Sequence, residues 1–276
     1  MNSLLVSNNV WNIAFYSNDK KIFNNFKILF QKFQIKTIDN KCDVDKIIVM
    51  KNSVGKYDIY VNDKIINKNC PKKEVLGLLI EEIFSQELLK NNEYIYLHGG
   101  AFSKNDSAII LLAPSNMGKT TLTLDFLKYG YSYYTDDIVF LNRSDLTITE
   151  FPKPLFLRKD TVHRPNCHIT ITNQEYIRDV YIPERIETKK LKVKIIFILN
   201  RNILFSKNGS AKKLDMIQAF NSILYNIYHV STKEIMINSI SNILKSIPIY
   251  ELNYYSSFDA INIIEKVLNN YETDFK

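Results

Sequence analysis

The chain has 276 residues and 46% hydrophobic content, enough for one large or two small domains with an ordinary buried core. Its 36 basic and 29 acidic side chains leave a net charge of +7, a moderate excess that suits an anionic ligand or an acidic peptide. The basic runs (Lys20-Lys21, Lys72-Lys73, Lys189 to Lys194, Lys212-Lys213) are scattered and match no nucleic-acid module, and no stretch of about 18 apolar residues occurs, so neither nucleic acid nor a membrane is an expected partner.

The start, Met1 to Ser7, lacks a basic region followed by a long apolar core and does not read as a signal peptide. Trp11 to Tyr16 has the pattern of a strand. Ile22 to Phe33 has helical spacing through Ile22, Phe26, Leu29, Phe30 and Phe33. Lys46 to Met50 and Tyr57 to Val61 read as strands, and Asn62-Asp63 as a turn into a hairpin partner at Lys64 to Ile66. No catalytic cluster falls here. Glu74 to Leu89 is an amphipathic helix that links this part to the next, so residues 1–90 are expected to form a small α/β accessory domain. Cys42, Cys70 and Cys167 are odd in number and unpatterned, as free thiols of a cytoplasmic protein would be.

Tyr94 to His98 reads as a strand ending at Gly99-Gly100. The apolar run Ala108 to Leu112 then leads into Ala113-Pro114-Ser115-Asn116-Met117-Gly118-Lys119-Thr120-Thr121 and a helix-patterned segment with Leu122, Phe126 and Leu127 on one face. A strand, a tight loop with Gly-Lys-Thr and a helix is the layout of a P-loop. Loop and helix N–H groups face an anion there, and the helix dipole favours negative charge. Residues 115–121 (Ser115, Asn116, Met117, Gly118, Lys119, Thr120, Thr121) are therefore the expected binding residues for ATP. Lys119 would reach the β- and γ-phosphates, and Thr120 would hold Mg²⁺. Ala113 stands where the pattern has its first glycine. The chain has only seven glycines, and Gly99, Gly100, Gly118 and Gly130 fall around this loop; Gly130 sits where a helix C-cap belongs.

Tyr131 to Thr135 is the next strand, interrupted by Asp136-Asp137 and resumed at Ile138 to Leu141. Two adjacent carboxylates in an apolar strand are costly unless they meet a cation or donors. After a P-loop helix they suit a metal ligand and a base for a hydroxyl nucleophile; the other reading is a strand-end turn in which Asp caps nearby N–H groups. His98 either lines the site or is a core histidine. Phe151 to Arg158 mixes prolines with cations, so Lys153 and Arg158 are candidate phosphate or substrate contacts, or plain surface. His163, Cys167 and His168 have the wrong spacing for zinc. Lys194 to Leu199 reads as a buried strand, Asp215 to His229 and Ser231 to Ile247 as helices (the second with a capping box from Ser231), Pro248 to Leu252 as a strand and Ser257 to Tyr271 as a last helix.

Taken in order, Leu97-His98-Gly99-Gly100, the loop from Ala113 to Leu122 and Tyr134-Thr135-Asp136-Asp137 resemble the catalytic domain of HPr kinase/phosphorylase. More closely, they resemble the smaller HPr-kinase-like proteins of clusters for ribosomally made, modified peptides, lasso peptides among them. The resemblance covers roughly residues 94–276. It implies an α/β protein in which residues 91–276 are a P-loop kinase domain of the HPr kinase/phosphoenolpyruvate carboxykinase type, with ATP and Mg²⁺ as cofactors and a serine hydroxyl of a peptide or small protein as acceptor. Carried over by position, Asp136, Asp137, His98 and Lys119 are the catalytic residues, and Thr120 and Asp137 the metal ligands, with the choice between Asp136 and Asp137 as base or ligand left open by the resemblance. The C-terminal acidic-Arg-Gly signature of the bifunctional enzymes is absent, so neither reverse phosphorylase activity nor HPr as substrate is implied. The alternatives are a kinase of a small molecule such as free serine, and a non-catalytic, nucleotide-dependent peptide-binding module. Homo-oligomerisation is compatible with the sequence but not specified by it.

Overall fold

The computed structural model describes residues 1–7, 12–36, 44–83, 91–113, 117–159, 161, 165–172, 177–201 and 209–273. Among them the chain forms β1 (Asn2–Ser7), β2 (Asn12–Ser17), α1 (Lys20–Leu29), β3 (Gln34–Lys36), β4 (Asp45–Lys51), β5 (Tyr57–Val61), β6 (Lys64–Cys70) and α2 (Val75–Ile83). Next come β7 (Tyr94–Lys104), β8 (Ser107–Leu112), α3 (Lys119–Lys128), β9 (Ser132–Thr135), β10 (Ile138–Asn142) and β11 (Ile148–Thr149). Then follow β12 (Leu155–Leu157), β13 (Ile169–Thr172), β14 (Ile177–Tyr181), β15 (Val193–Arg201), β16 (Ser210–Lys213), α4 (Met216–Tyr225), β17 (Ile227–His229), α5 (Lys233–Ser246), β18 (Ile249–Tyr254) and α6 (Ser257–Thr273). The result is a mixed α/β protein, and none of these helices is long and apolar enough to cross a membrane.

The chain divides into two compact units. The first comprises Met1–Lys90 and Lys153–Ile182, the second Asn91–Pro152 and Pro183–Lys276. A boundary thus falls at residue 90, but residues 153–182, assigned by sequence to the domain 91–276, group with the first unit. Their strands make a small sheet in the order β12-β14-β13, and β13 packs beside α2.

In the first unit a six-stranded sheet runs β3-β1-β2-β4-β5-β6. The turn between β5 and β6 places Asn62 and Asp63 at φ 47° and 66°, the left-handed pair that a two-residue hairpin needs. Asp19 starts α1 by accepting bonds from the Lys21 and Ile22 amides at 2.8 and 3.0 Å. Ile22, Phe26 and Leu29 then turn inward along one stripe. The helix ends at Leu29, so Phe30 and Phe33 bury themselves from the turn that follows.

The second unit is built on a nine-stranded sheet ordered β11-β10-β7-β8-β15-β18-β16, with β9 and β17 also pairing with β7. Asn105 and Asp106, at φ 51° and 57°, close the β7–β8 hairpin. At the centre β8, β15 and β18 are parallel. That explains the unbroken apolar run in β8: a central parallel strand is covered on both faces. Ala108, Ile110 and Leu112 face a cluster with Ile196, Ala219, Ile223, Ile240 and Ile243 of β15, α4 and α5. α3 packs with β7 and α6, and Phe126 stacks on Phe102 with ring centres 5.1 Å apart.

Three expectations need correction. β7 does not stop at Gly99-Gly100 but runs through them to Lys104. A Cβ on Gly99 would stand 2.5 Å from the Leu111 carbonyl oxygen, so glycine serves close strand approach here rather than a turn. Residues 227–229 are not the end of a helix but a strand paired with β7. The cap of α5 is Thr232, whose hydroxyl accepts from the Ile235 amide at 3.2 Å, not Ser231.

Candidate active site

β8 delivers the fully buried Ala113 to the carboxyl edge of the three parallel strands, where ligands of open α/β sheets bind. Pro114, Ser115 and Asn116 lie outside the described residues. From Met117 the chain leads to Gly118 at φ 84° and enters α3 at Lys119. Left-handed backbone is cheap for glycine and strained for any residue with a Cβ. With glycine at the N-cap no side chain there can cap the helix, and the first-turn N–H groups of an α-helix have no intrahelical acceptor. This is an anion-binding arrangement.

Lys119 is buried, and its Nζ donates to the Ala113 carbonyl at 2.6 Å, folding the side chain back across the loop. Burial pushes its ammonium below the ordinary lysine value, while Asp136 and Asp137 pull in the opposite direction. Both carboxylates therefore act electrostatically on this ammonium. Thr120 Oγ1 donates to Asp136 Oδ2 at 3.2 Å. Thr121 is half-buried in the first turn, and Thr123, one turn beyond Lys119, bonds its carbonyl at 3.0 Å.

Asp136 follows β9 and is only 3% exposed. Gly100 on β7 lies beside it: a Cβ there would be in ordinary contact with Asp136 Oδ1, at 3.5 Å. Asp137 adopts φ 71° and its carbonyl accepts from the Gly99 amide at 3.2 Å. A left-handed non-glycine residue is uncommon and clusters at functional sites, although aspartate tolerates it better than most. His98, half-buried on β7, pairs in register with Ile138, the residue after Asp137. The structure thus brings Lys119, Thr120 and Asp136 together, with Asp137 in the bend between β9 and β10 and His98 on β7. The bond from Thr120 goes to Asp136, not to Asp137, the residue with which the sequence paired it as a metal ligand.

Two further candidates fall in the first unit. Lys153 and Arg158 belong to the first unit, where Lys153 is buried with its Nζ 5.1 Å from the centre of the Phe156 ring. His163 lies outside the described residues. Among the described residues no three His, Cys, Asp or Glu side chains converge as a metal site. Thr120 and Asp136 instead offer a small set of hard oxygen donors, which is what Mg²⁺ takes from a protein when phosphates and water supply the rest.

Sequence reasoning missed two residues at this edge. Arg201 ends β15 and Tyr254 ends β18, and the two are paired in register. The Tyr254 hydroxyl donates to the Met117 carbonyl at 2.9 Å. A Cβ on Gly118 would lie 3.4 Å from Arg201 Nη1 and 3.6 Å from the Tyr254 hydroxyl. Their signal was positional only: each is the last residue of a strand that turns out to run parallel with β8.

No protein-family model and no curated protein matches the chain. Among solved structures, the HPr(Ser) kinase/phosphatase from Coxiella burnetii is similar at 14% identity and a TM-score of 0.34, over 65% of this chain and 97% of that one. The functional reading therefore rests on the residues of the pocket and on the sequence pattern.

Proposed function

We propose that the chain is an ATP-dependent serine kinase of the HPr-kinase-like type, acting on a hydroxyl of a peptide or small protein. One observation carries the reading: the Thr120 hydroxyl, first polar group after the loop lysine, meets a buried Asp136 at 3.2 Å. A hydroxyl and a carboxylate converging at the mouth of a phosphate-sized loop form half of a Mg²⁺–nucleotide site. Gly118, at φ 84°, gives the chain a left-handed turn into α3 that a residue with a Cβ would adopt only under strain. When bound, Mg²⁺ neutralises charge on the β- and γ-phosphate oxygens.

The chain's own groups do the remainder. The Lys119 ammonium leaves the Ala113 carbonyl for the phosphate chain. Thr120 and one carboxylate of the Asp136-Asp137 pair hold the cation. The other carboxylate accepts the serine proton as the serine oxygen bonds to the γ-phosphorus and the bond to ADP breaks. His98 lines the same edge.

The test is incubation with ATP, Mg²⁺ and serine-containing peptides, read by mass spectrometry for phosphoserine. Wild type is expected to transfer a phosphoryl group and Lys119→Ala to abolish transfer. Phosphorylation of free serine but no peptide, or ATP binding without turnover on any acceptor, would replace this reading with a small-molecule kinase or a binding module.

A further inference from the structure

We infer that Arg201 is a phosphate-binding residue of this pocket and that Tyr254 positions the loop on which the phosphates rest. The inference builds on the reading that the pocket takes a nucleoside triphosphate.

Both residues stand at the carboxyl ends of strands parallel to β8, so the sheet itself carries them to the loop. Arg201 lies along the bare face of Gly118: its Nη1 and Cδ are 3.4 and 3.7 Å from where a Cβ would be. Stem and guanidinium thus occupy the side on which any larger residue would project. Arg201 is exposed, and among the described residues no carboxylate forms an ion pair with it. An arginine held beside a glycine loop offers its planar fork to phosphate oxygens, a bidentate geometry that the single ammonium of Lys119 cannot supply.

Tyr254 acts through the backbone. It is 4% exposed, and its hydroxyl fixes the Met117 carbonyl at 2.9 Å, one residue before Gly118. Burial pushes that hydroxyl up to about 12, with Arg201 pulling the other way, so it remains a donor across the physiological range. A carbonyl held this way is turned aside from the anion, and the amides of Gly118 and the first turn of α3 are left to face it.

Calorimetric titration of the full chain tests the inference, with ATP plus Mg²⁺ and, separately, inorganic tripolyphosphate as probes. Arg201→Ala is expected to weaken both probes by the same factor, about ten- to a hundredfold, the range of a charge-assisted hydrogen bond or pair of them. Arg201→Lys should recover only part of the loss. Tyr254→Phe should weaken both probes several-fold by freeing the Met117 carbonyl. If Lys119→Ala loses ATP while Arg201→Ala binds both probes as wild type does, Arg201 has no phosphate role and the pocket reading stands. Loss of ATP without loss of tripolyphosphate in Arg201→Ala would move Arg201 to the nucleoside and overturn the assignment. Wild-type affinity in Tyr254→Phe would remove its positioning role. If Lys119→Ala and wild type bind ATP alike, the pocket reading fails and takes the inference with it.

Discussion

Replacing Gly99 with alanine strikes the joint between the sheet and the pocket. The new Cβ would stand 2.5 Å from the Leu111 carbonyl oxygen and 2.6 Å from Leu112 Cδ2. The first of these atoms belongs to the β7–β8 ladder, in which Gly99 opposes Leu112, so it cannot swing aside as a side chain would. Carbon-to-carbonyl-oxygen contacts settle at about 3.3 Å, so the two strands must part by roughly 0.8 Å. Overpacking a core costs about 1–3 kcal/mol, and a backbone obstacle places this variant at about the top of that range. Alanine gains back less than about 1 kcal/mol of backbone entropy. At about 2–4 °C per kcal/mol for a domain of this size, the second unit should melt roughly 5–10 °C lower. Gly100→Ala is the control: its Cβ would meet the Phe102 ring at 3.1 and 3.2 Å, a side chain able to give by a few tenths of an ångström, at about 1 kcal/mol. Gly99→Ala should also weaken ATP binding, because Leu112 leads directly into the Ala113 carbonyl that holds Lys119. Calorimetric melts of both variants decide the matter. If Gly99→Ala melts within 2 °C of wild type, or above Gly100→Ala, the close-approach argument is wrong.

Gly118→Ala forces a Cβ onto left-handed backbone, so it should cost about 1–2 kcal/mol in a denaturant melt and lower ATP affinity as well. Asp136→Asn and Asp137→Asn should each cut phosphoryl transfer by about a hundredfold or more, the range of a lost base or metal ligand, with far-ultraviolet circular dichroism unchanged; activity near wild type in both would exclude them from the chemistry. In the first unit, burial opposes ionisation of Asp19, yet bonds from Lys72, Tyr57 and the Ile22 amide hold its carboxyl well below the usual range. A depressed carboxylate stabilises the fold fully above its unfolded value of about 4, and that contribution is lost as pH falls further. Asp19→Ala should therefore cost about 1–2 kcal/mol at neutral pH, and the gap to wild type should narrow below pH 4 in urea melts.

The strand–loop–helix at residues 108–128 was legible because each part carries its own local signal: an unbroken apolar run, Gly-Lys-Thr, and Gly130 at φ 84° just past the helix end. Asp136 was legible because an acid amid Tyr134, Thr135, Ile138 and Val139 has no place in a core without a partner. The polarity of the sheet was not legible. That β15 and β18 run parallel to β8 depends on long-range pairing, and only that pairing turns Arg201 and Tyr254 into neighbours of Gly118. Gly99-Gly100 misled for a related reason: glycine marks a turn and a close strand approach equally well, and the choice is made by Leu111 and Leu112 across the ladder. The segment 153–182 joined the first unit through short strands whose partners are one another and α2, a grouping no window of sequence contains. At 227–229, Ile227 and His229 pair with Leu97 and Tyr96 of β7, and that tertiary pairing overrode the helical pattern running in from α4.

A structure of the full chain with Mg²⁺ and a non-hydrolysable ATP analogue tests the central claim most directly. The account predicts the phosphate chain over Gly118 and the first amides of α3, Lys119 released from Ala113, and Mg²⁺ at about 2.1 Å from Thr120 Oγ1 with a carboxylate oxygen of Asp136 or Asp137 beside it. Nucleotide bound away from Gly118, or a cation that meets neither Thr120 nor the paired aspartates, would contradict it.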